Sequence, residues 1–90
     1  MVAKRVFYEG RVQGVGFRYS VKNLATGYEV VGWVRNLIDG RVELQVQGAS
    51  GEVDEFLEAI LDGYLRRHIS RFVVQEITPQ IGLKGFQIRH

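Results

Sequence analysis

Hydrophobic and polar residues alternate most strictly in RVELQVQG, residues 41–48. Val42, Leu44 and Val46 share one face there, and Arg41, Glu43, Gln45 and Gln47 share the other. A period of two puts successive side chains on opposite faces of a strand, so the segment predicts a half-buried strand. AKRVFYEGRV (3–12), rich in β-branched and aromatic types, predicts a strand that ends at a glycine-rich loop. From Phe17 to Tyr28 the period changes. Phe17, Val21, Leu24, Ala25 and Tyr28 fall on one helical stripe, and Gly27 marks the helix end. EVVGWVRN (29–36) is a mostly apolar strand, and Asp39-Gly40 is a hairpin signal leading from it into 41–48. A second amphipathic helix over 52–66 presents Val53, Phe56, Leu57, Ile60, Leu61 and Leu65, with Ser50 as N-cap and Gly63 interrupting its last part. HISRFVVQEIT (68–78) reads as a fourth strand stopped by Pro79, and GFQIRH (85–90) as a short closing strand.

The order β-α-β-β-α-β, with two amphipathic helices and antiparallel strands, implies an α+β, ferredoxin-like open-faced sandwich. Its antiparallel sheet carries both helices on one face and a short extra C-terminal strand. Ninety residues fill one such domain, 1–90, without repeat or linker. A strand–helix–strand crossover makes the first two strands parallel, though not necessarily neighbours. Their C-terminal ends therefore share one edge of the sheet. The first ends in the glycine loop and the second at Arg35-Asn36, so the two places meet.

Composition narrows the chemistry. The absence of cysteine excludes disulfides, thiolate metal sites and a cysteine nucleophile, and it suits a reducing compartment. The start MVAKRVFYEG has no apolar run behind its two basic residues and no window reaches membrane-spanning length, so the cytoplasm is expected. The net charge of +2 says little, but Lys4, Arg5, Arg11, Arg18 and Lys22 crowd the first quarter against Glu9 alone. Such a quarter can attract an anion, or it can be an ordinary solvated face. Glu52, Asp54, Glu55 and Glu58 open the second helix, where acids favour its dipole, and read as a solvated face. His68 and His90 lack a ligand spacing and read as surface side chains.

The loop GRVQGVGFRY (10–19) holds Gly14 and Gly16 directly before a Phe-Arg pair. A glycine-rich turn entering a helix directs several backbone N–H groups and the helix dipole at one point, which makes a concave anion site. Arg18 can add a permanently charged fork, and a phosphate fits both the charge and the geometry. The loop is neither a dinucleotide fingerprint, since Tyr19 stands at the third glycine, nor a Walker loop. Taken singly, a tight connection remains the plainer reading of the loop, and a turn residue that of Asn36.

Together, VQGVGFR (12–18), GWVRN (32–36), DGRVE (39–43) and the terminal Gly85-Phe-Gln-Ile88 closely resemble the acylphosphatase family over nearly the whole chain. The chain departs from the family's pattern at Ile38, where proline is common, and in DGYLRRHIS, which lacks the prolines often found after the second helix. The resemblance implies hydrolysis of acyl phosphates to a carboxylate and inorganic phosphate. It implies that the loop Gln13, Gly14, Val15, Gly16, Phe17 and Arg18 cradles the phosphate, that Arg18 binds it directly, and that Asn36 orients the attacking water. No metal or cofactor is implied. A carboxylate leaves without a general acid, which accounts for motifs free of histidine and paired carboxylates. The resulting expectation is a cytoplasmic monomer acting on a small acyl phosphate, with neither nucleic acid nor membrane as partner. Two alternatives stand beside it. One is a non-catalytic phosphate-binding or regulatory module of the same fold. The other is an RNA-binding domain, suggested by the shared element order and KGF at 84–86 but opposed by the lack of an aromatic residue in RVELQVQG.

Overall fold

A computed structural model describes residues Met1–His90. The elements are β1 (Val2–Gly10), α1 (Phe17–Ala25), β2 (Val30–Asn36), β3 (Val42–Gly48), α2 (Ser50–Asp62), a 3₁₀ segment (Tyr64–His68), β4 (Ile69–Ile77) and β5 (Phe86–Arg89). The last four strands match the expected spans to within one residue at each end. The sheet order is β4-β1-β3-β2-β5. β1 and β2 both pair antiparallel with β3 and so run parallel to each other, while β5 pairs parallel with β2 and makes the sheet mixed.

Both helices cover one face. From β1, β2 and β3 come Val6, Tyr8, Val34, Val42, Leu44 and Val46; from the helices come Phe17, Val21, Val53, Phe56 and Ile60. Ladder partners such as Val6 and Leu44 lie directly opposite and therefore share this face. Each fully buried large side chain here contributes about 1.5–3 kcal/mol by leaving water. Tyr28 and Phe86 flank Phe56 with ring centroids 5.9 and 5.7 Å away.

Three local expectations are corrected. The first strand stops at Gly10, two residues short of Val12, although Val12 is still buried from the loop. The first helix ends at Ala25, two residues before the Gly27 expected to mark its end. The N–H groups of Thr26, Gly27 and Tyr28 bond carbonyls three residues back, and the Thr26 hydroxyl also takes the Asn23 carbonyl. A β-branched residue followed by glycine favours this tightening over another α-turn. The second helix spans Ser50–Asp62. Ala49, not Ser50, is its N-cap, and Gly63 turns extended and ends it, so Leu65 reaches the core from the 3₁₀ segment.

The larger correction concerns β3. Its polar face was expected to be exposed, yet every residue of Val42–Gly48 is buried, with Glu43, Gln45 and Gln47 only 5, 3 and 4% exposed. β3 is the central strand, and long side chains from its neighbours close over it. Glu43 meets Arg35 Nε at 2.7 Å and Arg5 Nε at 3.2 Å, the latter an ion-pair distance without hydrogen-bond alignment. Gln47 accepts from the Gln80 N–H and donates to the Gln80 carbonyl, both at 2.8 Å, which fastens the 79–84 loop over the sheet.

Candidate active site

Three strand ends meet at one edge of the sheet. β1 leads into the glycine loop, β2 ends at Asn36, and β5, being parallel to β2, delivers Arg89 and His90 to the same edge. A cleft of about 320 Å³ opens between them. Gly14, Gly16, Phe17 and Arg18 form its loop side and Asn36 its strand side, while Val12, Tyr19, Ile88 and His90 complete it. No acidic side chain lines the cleft.

Gly14 and Gly16 have φ of 77° and 78°, the left-handed region that side chains with a Cβ avoid. A Cβ built on either would meet no protein atom within 4 Å, so the conformation itself, not crowding, demands glycine. Gly16 is the N-cap of α1, its carbonyl accepting from the Ser20 N–H at 3.0 Å. The amides of the first helical turn have no partner within the helix and lie at the cleft wall with the positive end of the helix dipole. Phe17 is buried against Tyr8, with ring centroids 5.2 Å apart, and anchors this turn in the core. Burial raises the Tyr8 hydroxyl well above the usual phenol range, so Tyr8 packs here as a neutral group.

Arg18 Nη1 donates to the Arg89 carbonyl at 3.2 Å and lies 3.4 Å from His90 Nδ1. The end of β5 thus holds the guanidinium at the cleft. Asn36 sits opposite Val42 in the ladder and therefore faces the helix layer. Its Oδ1 is buried and has no hydrogen-bond partner. A buried acceptor without a partner costs about 1–3 kcal/mol. Trp33 Nε1 is also buried and unpaired, but it lies on the opposite sheet face beneath the stacked guanidiniums of Arg35 and Arg89.

Two of the expected cradle residues do not line the cleft. Val15 is exposed to one side, and the Gln13 side chain is committed elsewhere. Gln13 Nε2 donates to the carbonyls of Leu37 at 2.7 Å and Arg41 at 3.0 Å, tying the glycine loop to the β2–β3 hairpin. In that hairpin Asp39 accepts from the Arg41 backbone N–H and from Arg41 Nε. The backbone bond above all holds the Asp39 carboxyl below the usual carboxylate range. The motif reading missed the contributions of Ile88 and His90. Their signal was the parallel placement of β5 beside β2, which only the ladder reveals. No three His, Cys, Asp or Glu side chains gather where they could hold a metal.

A glycine loop, a helix N-terminus and an arginine converging on one cleft define the class: a small α+β sandwich whose cleft has the charge and backbone donors of an anion site. The particular family follows from comparison. The sequence model of the acylphosphatases matches residues 4–88. Acylphosphatases of Rubrobacter xylanophilus and Bacillus licheniformis are 42% identical over 85 residues and 38% identical over 90. These alignments cover 94% of this chain and 77% of the first relative, and the whole of both chains for the second. The crystal structure of acylphosphatase from Bacillus subtilis superposes with a TM-score of 0.90 at 37% identity across the full length of both chains. The chain belongs to the acylphosphatase family.

Proposed function

We propose that residues 1–90 form a single acylphosphatase domain that hydrolyses the carboxyl–phosphate bond of acyl phosphates by direct attack of water. The phosphoryl group sits against the amides of the 13–18 loop, with Arg18 as its cation. Water, hydrogen-bonded to Asn36, attacks phosphorus as the bond to the acyl oxygen breaks. The carboxylate departs with the bonding electrons, and the water's proton passes to a phosphoryl oxygen, giving inorganic phosphate. Positioning and charge stabilisation supply most of the catalysis in such a transfer, so an arginine and fixed amides suffice without a covalent intermediate. The leaving carboxylate is stable as an anion and needs no general acid.

The observation that carries the reading is the single cleft that Arg18, Gly14, Gly16 and Asn36 line together. The wider reading is a cytoplasmic monomer acting on a small molecule. The chain has no cysteine, and no helix is long and apolar enough to cross a membrane. On the open sheet face, Trp33 and Phe7 lie under arginine guanidiniums and offer no free ring for a nucleic-acid base. The test is release of inorganic phosphate from benzoyl phosphate by the purified protein in EDTA. Turnover, inhibited competitively by added phosphate, is expected. Binding of phosphate without turnover would leave a phosphate-binding module instead.

A further inference from the structure

A second groove, of about 480 Å³, continues from the cleft along the β2–β3 hairpin, and Asn36 and His90 line both spaces. Arg35, Leu37, Ile38 and Asp39 complete it. Two of its charged side chains are tied to neighbours. Arg35 Nε is bound to Glu43, and Asp39 accepts twice from Arg41. Beside them Ile38 is fully exposed at the hairpin tip and, with Leu37, gives the groove its apolar surface. An isoleucine there adds nothing to the core. The groove is also fixed relative to the glycine loop, because Gln13 bonds the carbonyls on both sides of the tip.

We propose that this groove is the acyl subsite, and that Ile38, together with His90, selects substrates carrying a large apolar acyl group of the benzoyl kind. The proposal rests on the function above. With phosphate at Arg18 and the glycine loop, the scissile bond lies beside Asn36, and the acyl chain enters the groove that Asn36 also borders. A benzoyl ring covers Ile38 and removes both from water, whereas the methyl of an acetyl group is too short to gain from it.

The experiment compares kcat/KM for benzoyl phosphate and acetyl phosphate in the parent, Ile38→Ser and Ile38→Leu proteins, with inhibition by inorganic phosphate measured alongside. The benzoyl-to-acetyl ratio is expected to fall about tenfold in Ile38→Ser, the lower end of what a few carbon contacts contribute to discrimination, and to return in Ile38→Leu. Phosphate inhibition should match the parent in both variants. An Ile38→Ser protein with the parent ratio, including one in which both substrates weaken equally, overturns the subsite. A parent protein that hydrolyses neither substrate overturns the proposed function itself, a result distinct from an unchanged ratio.

Discussion

Two polar regions a few residues apart on the same sheet are built in opposite ways. On the open face, Glu43 is 5% exposed and both its oxygens face guanidiniums, from Arg35 and Arg5. At the edge, Asn36 Oδ1 is buried with nothing to accept from, and Gly14 and Gly16 hold conformations other residues avoid. In the first region the buried carboxylate is met by two cations within the protein, although Trp33 Nε1 and Arg5 Nε on the same face lack hydrogen-bond partners. In the second the protein itself supplies the Asn36 acceptor with no partner.

The sharpest way to break this contrast is to remove the cation of the second region. Arg18→Ala is expected to lower kcat/KM by about 10³–10⁵-fold, the range for an arginine that stabilises phosphoryl transfer. It should also weaken phosphate inhibition with little change in stability, since Arg18 is only partly buried and its partners are the Arg89 carbonyl and the His90 ring. Arg18→Lys should recover little, because an ammonium cannot make two parallel bonds to phosphate. Steady-state kinetics with phosphate as inhibitor, beside thermal unfolding, would show this.

Next comes the orphan acceptor. Asn36→Ala should reduce kcat by about 10²–10³-fold while leaving phosphate inhibition near that of the parent, because the residue acts on water and not on the phosphoryl group. Near-normal kcat at saturating acyl phosphate would return Asn36 to a structural role at the end of β2. Unfolding should shift little or even upward, since the lost group had no partner to lose.

Glu43 should behave in the reverse manner. Glu43→Gln is expected to cost about 1–3 kcal/mol in denaturant unfolding. The figure is set below that of a fully buried pair because Arg5 and Arg35 remain 36 and 45% exposed. The kcat of the folded protein should stay close to that of the parent. A large loss of activity at unchanged stability would mean that the open face takes part in catalysis.

The smallest effect is expected at the link between loop and hairpin. Gln13→Ala should lower kcat about fivefold, well short of the ~10²-fold that an ångström of misplacement costs, with phosphate inhibition unchanged. A large rise in the phosphate inhibition constant would instead mean that the Gln13 side chain turns from the hairpin toward the ligand.

The convergence of the glycine loop and Asn36 was legible from element order alone. A helical crossover makes β1 and β2 parallel wherever they stand in the sheet, and so their C-terminal ends share an edge. The helical stripes and the hairpin were equally legible, because side-chain period and turn chemistry are local properties. Three features belong to the tertiary structure. Strict alternation in 41–48 reports which residues share a face but not what covers that face; the central position of β3 and the reach of Arg5, Arg35 and Gln80 buried it. The Gln13 side chain, to which the loop reading gave no role of its own, found the carbonyls of Leu37 and Arg41 more than twenty residues along the chain. His90 reached the cleft because β5 docks parallel to β2, a pairing no pattern within six residues can encode. Patterns along the chain specify what each element presents. Which element lies beside it, and therefore which polar groups find partners, is decided by contacts between residues far apart in sequence.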